Sequence, residues 1–252
     1  MRVFSTLLAG LTASLLLAAC SNNDASPASA DQAADNGKGG SLARFTVLDN
    51  TLYVVDNQSL RLFSLATPTA PTRGPVVDLR LGIETIYPQA PYLFLGTQTG
   101  MYIFDASKPA TPRQVAFYQH VMSCDPVVVD NRYAYVTLRD GRTCGGGPNQ
   151  LQVIDLTTLS QPRLARTYPM DHPLGLGVDS ARLFVCDKTK LKVFNTQDTP
   201  QLTMLQTFDV NVFDVIPNRG NLLAVGPGGL YQYSYRGGTL TPLSYLPITP
   251  SN

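Results

Sequence analysis

The sequence predicts an all-β protein built from repeated four-stranded units, and three observations carry that prediction. First, one alternating apolar phrase recurs: Leu60-Arg61-Leu62-Phe63, Met101-Tyr102-Ile103-Phe104, Leu151-Gln152-Val153-Ile154, Leu191-Lys192-Val193-Phe194 and Leu230-Tyr231-Gln232-Tyr233, at intervals of 41, 50, 40 and 39 residues. Second, each copy follows another strand-like phrase: Leu52–Val55, Tyr92–Leu95, Tyr133–Val136, Arg182–Val185 and Leu222–Val225. Third, Gly 20, Pro 19 and Tyr 12 are abundant while the residues of exposed helices are scarce, with Glu84 the only Glu and five Lys against 14 Arg. Period-2 alternation without a sustained 3.6-residue stripe argues for strands.

The elements follow in order. Turn pairs precede the second phrase at Asp49-Asn50, Gln89-Ala90, Asp130-Asn131, Asp179-Ser180 and Asn218-Arg219. Such residues join antiparallel strands through tight turns. After the third strand come proline-rich turns such as Asp105 to Pro112 and Asp155 to Pro162, then a last strand such as Gln114–Tyr118. Four strands in roughly 40 residues, repeated five times, is the signature of a β-propeller, one unit per blade. The expected blades span 43–82, 83–122, 123–171, 172–210 and 211–250, within a propeller domain at 43–252.

Two resemblances sharpen this reading. Gln152-Val153-Ile154-Asp155-Leu156 and Tyr102-Ile103-Phe104-Asp105-Ala106-Ser107-Lys108-Pro109 resemble the LVIVD repeat. That repeat belongs to bacterial and archaeal secreted or surface propeller-like proteins, and in the last unit Ser234 replaces the motif Asp. The resemblance implies the propeller fold and an extracytoplasmic home, and carries no catalytic residue. Residues 1–20, with charged Arg2, an apolar run from Leu7 to Ala19 and the ending Leu17-Ala18-Ala19-Cys20, resemble a bacterial lipoprotein signal with its lipobox. The run is short for a membrane-spanning helix. The resemblance implies removal of 1–19, acylation of Cys20 and attachment to a membrane through the lipid. With Ser21 rather than Asp after the Cys, it implies the outer membrane if the host is Gram-negative. Residues 21–40 hold no bulky apolar side chain, so 20–42 is expected to be the lipidated Cys and a disordered tether.

Removing Arg2 leaves 18 basic against 18 acidic residues. A mature net charge of zero argues against nucleic-acid binding, which needs a cationic surface. Unit three departs from the repeat: residues 139–149 form a glycine-rich insertion between its second and third strands. Cys124, in the linker entering that blade, falls on the same face as Cys144 in the insertion, which predicts a Cys124–Cys144 disulfide in an oxidising compartment. Closing that loop would contribute roughly 3 kcal/mol. Cys186 lies in a strand and is expected to be a buried thiol. The glycines at 145–147 lack the Gly-Lys-Ser/Thr and helix of a phosphate loop.

Candidate binding residues gather on the linker face around blade three: Arg139 and Arg142 in the insertion, and His120 and His172 in the flanking linkers. At the channel mouth, Arg44, Glu84, Asp125 and Asp214 fall near the starts of innermost strands. No Gly-x-Ser-x-Gly, His-Glu-x-x-His or Ser–His–Asp pattern appears, and no metal, cofactor or catalytic residue is expected. The function this supports is a lipid-anchored, non-catalytic module at the cell envelope that binds a protein partner. The alternative is a small-ligand or glycan site, possibly hydrolytic, with carboxylates such as Glu84 and Asp125 at the channel mouth.

Overall fold

The computed structural model describes residues 39–80, 82–123, 126–141 and 146–248. The leader, Cys20, most of the tether, Cys124, Asp125, Arg142 and Cys144 lie outside them. Among the described residues there are twenty strands and no helix, arranged as a five-bladed β-propeller. Each blade is a consecutive four-stranded antiparallel meander. Blade one holds β1(Phe45–Leu48), β2(Thr51–Val55), β3(Ser59–Ser64) and β4(Thr72–Asp78). Blade two holds β5(Ile83–Gln89), β6(Tyr92–Thr97), β7(Gly100–Asp105) and β8(Arg113–Gln119). Blade three holds β9(Val127–Asp130), β10(Tyr133–Leu138), β11(Gln150–Asp155) and β12(Arg163–Pro169). Blade four holds β13(Pro173–Asp179), β14(Arg182–Asp187), β15(Lys190–Asn195) and β16(Thr203–Asp209). Blade five holds β17(Asp214–Asn218), β18(Asn221–Gly226), β19(Gly229–Ser234) and β20(Thr241–Pro247).

Both recurring phrases sit on the strands expected of them, as the middle pair of each blade. In blades two and three those strands are buried on both faces, because each of these blades is sandwiched by its neighbours, whereas in blades one and five they alternate between buried and partly exposed. In β14, Leu183 and Val185 pack towards blade three, while Phe184 and Cys186 pack towards blade five. In β6, Phe94 faces blade three and Leu93 and Leu95 face blade one. The outermost strands β4, β8, β12, β16 and β20 are largely exposed. Every third-to-fourth strand pair carries a register shift at nearly the same place, such as Ile103/Phe104 and Val153/Ile154. A bulge there increases twist and turns the outer strand away from the next blade.

The motif Asp has a local physical role. Asp105 Oδ1 accepts the Ser107 amide at 2.9 Å and Asp155 Oδ1 that of Thr157 at 2.8 Å. Asn195 does the same for Gln197 at 2.9 Å, and in blade five the Ser234 hydroxyl reaches Arg236 N at 3.5 Å. These side-chain turns end the third strand. The hairpin turns differ from expectation by one residue in blades two to five. Gln89, Asp130, Asp179 and Asn218 are the last residues of inner strands, and the left-handed positions fall on Asn131, Ser180, Ala181 and Arg219. In blade one the turn is at Asp49-Asn50 as expected, with Asp49 at φ 52°.

All four strands of blade five come from the C-terminal end and all four of blade one from the N-terminal end, so no strand is exchanged to close the ring. Buried hydrophobic clusters join blades one and two, blades two to four, and blades four and five. Among the described residues none joins blade five to blade one. The connection is made by a short strap, residues 39–44. Within this strap Gly40 and Ser41 are buried. Ser41 Oγ accepts the Leu176 amide of blade four at 2.8 Å and donates to Asp214 of blade five at 3.1 Å. Ala43 O accepts the Ile86 amide of blade two, and Arg44 O that of Val55 in blade one. One six-residue strap therefore ties four blades together.

Candidate functional site

The linker face carries the chain between blades and the loops joining second to third strands, and blade three is its elaborated sector. Ser123, fully buried, organises it. Its hydroxyl donates to Arg139 O and accepts the Arg139 amide, both at 2.7 Å, while its own amide donates to Gln98 O. The linker entering blade three is thereby fixed to both the blade-two loop and the start of the insertion. Asn149 closes the other end, accepting the Asp140 amide through Oδ1 and the Met170 amide through its backbone O. Gly147 runs against the linker so closely that a Cβ would sit 2.7 Å from Met122 O.

Of the residues singled out from sequence, the structure brings several into one row. His172 Nδ1 lies 3.2 Å from Asp140 Oδ1 in the insertion, with both side chains substantially exposed. An exposed pair of this kind contributes little stability. Glu84 Oε1 accepts from Gln98 Nε2 at 3.3 Å, and Gln98 leads on to Ser123. Arg139, partly buried, is held through its backbone by Ser123. His120 stands at the start of the same linker, its amide on Thr99 O and its Nδ1 2.5 Å from Val121 O. Next to it Val121 and Met122 are 55% and 56% exposed. The site is therefore an apolar tip next to His120, joined through Ser123 to Arg139 and the neighbouring Asp140–His172 pair.

Sequence reasoning missed the support beneath this row. Asp187 is fully buried at the end of β14. Its carboxylate accepts the His172 amide at 2.8 Å, the Asp171 amide at 3.1 Å and the Lys192 ammonium at 2.5 Å. Burial pushes this carboxyl up, but the ammonium and the two amides overcome it and hold the carboxyl below its ordinary value. The signal in the sequence was lysine placement: three of the five, Lys188, Lys190 and Lys192, fall within five residues.

Of the expected channel-mouth carboxylates, Asp125 lies outside the described residues. Arg44 Nη2 reaches Ile83 O at 3.3 Å, and Glu84 is taken by Gln98. Asp214 faces the strap, where Ser41, Leu42 and Val215 donate to it. Burial pushes its carboxyl up to about 6 against those three donors. Gly40 and Gly175 flank the carboxylate, and a Cβ on either would overlap it. No group of three or more potential metal-ligating side chains occurs among the described residues.

No family model matches this chain, and no curated protein matches it. Solved structures do. A Lactobacillus plantarum protein superposes with TM-score 0.65 at 13% identity, over 79% of this chain and 69% of that one. A functionally unknown Desulfotomaculum acetoxidans protein gives 0.64 at 11%, over 85% and 73%. A periplasmic gluconolactonase of Pseudomonas aeruginosa gives 0.60 at 15%, over 79% and 68%. At such identities the likeness establishes the propeller fold and transfers no residue role.

Proposed function

We propose that this chain is a lipid-anchored, non-catalytic β-propeller of the cell envelope that presents the linker face of blade three to a protein partner. The observation that supports it is the exposed Val121-Met122 tip, held from below by the Ser123–Arg139 hydrogen bonds and preceded by His120. Apolar centres with polar rims are how protein interfaces are built, and rigid loops on a scaffold are where they sit. The LVIVD-like motifs and the lipobox-like ending at Cys20 support the envelope setting. The motif residues themselves are spent on turn chemistry, which leaves the insertion as the feature not explained by folding.

The small-ligand reading at the channel mouth is weaker, because Arg44, Glu84 and Asp214 each engage neighbouring protein groups. The test is an in-cell crosslinking pull-down of the lipidated protein, read by mass spectrometry against an anchored tether-only control. A partner should survive the control and be lost on deleting 139–149 or on the pair Val121→Ser, Met122→Ser. Retention of that partner by both variants, or no partner above control, overturns the proposal.

A further inference from the structure

Exposed apolar side chains are distributed unevenly over the two ends of the propeller. Leaving aside the outermost strands, six large apolar residues are exposed: Leu42, Phe45, Val121, Met122, Phe213 and Ile248. All six lie at the linker end, and among the described residues the loops at the opposite end expose none. Val121 and Met122 belong to blade three. The other four sit around the seam between blades five and one, two blades from blade three in either direction.

The seam residues are linked through the backbone of the strap and blade five. Leu42 N donates to Asp214, next to Phe213. The Phe213 amide bonds Val225 O, and the register runs on from Val225 to Leu230 and to Leu246, which is 64% exposed. The Ile248 amide bonds Gly228 O at the same edge. Across the seam Phe45, 62% exposed, pairs with Val54, whose side chain is half-buried on the blade-one face that no buried cluster covers. Water-facing apolar side chains gathered at one seam mark a contact site.

We infer that this seam pole is a bilayer-contacting surface, in which Phe45, Leu246, Ile248 and Phe213 enter the lipid interface. The inference rests on the anchored reading at Cys20. The strap that lies at the seam is the first part of the ring after the tether, so the seam is where an anchored chain would be drawn to the membrane. Nineteen residues, 20–38, separate the strap from the membrane if Cys20 is acylated. A flexible segment of that length spans roughly 25 Å on average. Tethering at that range makes weak apolar contact effective, since the second contact becomes intramolecular. A mature net charge of zero favours insertion of apolar tips over electrostatic adsorption, so contact should persist in high salt. This orientation leaves the blade-three pole directed away from the bilayer edge and open to a partner.

The absence of tryptophan from the chain gives a clean readout. The full lipidated protein, carrying Phe45→Trp, Leu246→Trp or Ile248→Trp singly, is reconstituted into phosphatidylethanolamine/phosphatidylglycerol vesicles containing brominated acyl chains. Val121→Trp and Leu164→Trp serve as comparisons on blade three. Expected are blue-shifted emission and strong quenching at 45, 246 and 248, unchanged by salt, with little at 121 and 164. A protein that floats with the vesicles but shows no quenching at the seam overturns this inference alone. Quenching at 121 equal to that at the seam overturns the tilted orientation. Failure to float overturns the anchored reading on which it rests. Seam protection accompanied by a crosslinked dimer would assign the patch to a second copy instead.

Discussion

Replacing Asp214 by Asn should remove one step from the pH dependence of stability. Asp214 sits between Gly40 and Gly175, and burial raises its carboxyl to about 6 in the folded chain. In the unfolded chain a carboxyl of this type titrates near 3.9. Between those values the unfolded state gives up its proton first, so stability falls as pH rises from about 4 to about 6 and is level above. Two units correspond to about 3 kcal/mol, and partial solvent contact brings the expected loss to about 2 kcal/mol. Asp214→Asn keeps the shape and stays neutral, so its stability relative to the parent should climb by that amount across the window. For a domain of this size that is roughly 4–8 °C in Tm. Urea denaturation of both proteins at pH 3.5, 5 and 7.5 measures it, with the carboxyls held low, such as Asp56 and Asp155, cancelling in the difference. A variant whose stability relative to the parent stays flat, or falls, with rising pH refutes the reasoning.

Lys192→Met should destabilise the protein by about 3–5 kcal/mol, since it strands the buried Asp187 carboxylate without its cation; equilibrium denaturation at neutral pH reads this directly. Gly175→Ala places a Cβ against Phe213 O and the Asp214 carboxylate and should cost about 1–3 kcal/mol, with faster hydrogen exchange at Ser41 and Leu42 if the strap is what gives way. Under denaturing, non-reducing conditions iodoacetamide should label Cys186 alone in the mature protein, and labelling of three cysteines would eliminate the Cys124–Cys144 bridge. In the native protein Cys186 should resist labelling, because burial both shields its thiol and pushes its ionisation up.

The repeat was legible from residues 41 onward because the middle strands of every blade bury at least one face against a neighbour, which repeats an apolar pattern five times. Leu191-Lys192-Val193-Phe194 and its counterparts advertise that demand in any context. The motif Asp was legible as well, although its work in the turn after the third strand became clear only from the Asp105 and Asp155 hydrogen bonds. The insertion at 139–149 stood out as a break in the period. What the sequence could not convey was which side chains lie together across blades. Ser123 meets Arg139 and Lys192 meets Asp187 only once the strands of one blade are paired, and His172 meets Asp140 only because blades three and four are neighbours in the ring. The strap is the sharpest case. Gly39-Gly40-Ser41 has the composition of a spacer, and nothing local distinguishes it from the residues before it. Its burial follows from the geometry of closure: five blades with no exchanged strand leave a seam, and a small, hydrogen-bonding segment fits between Asp214, Leu176 and Ile86 where a larger one would not.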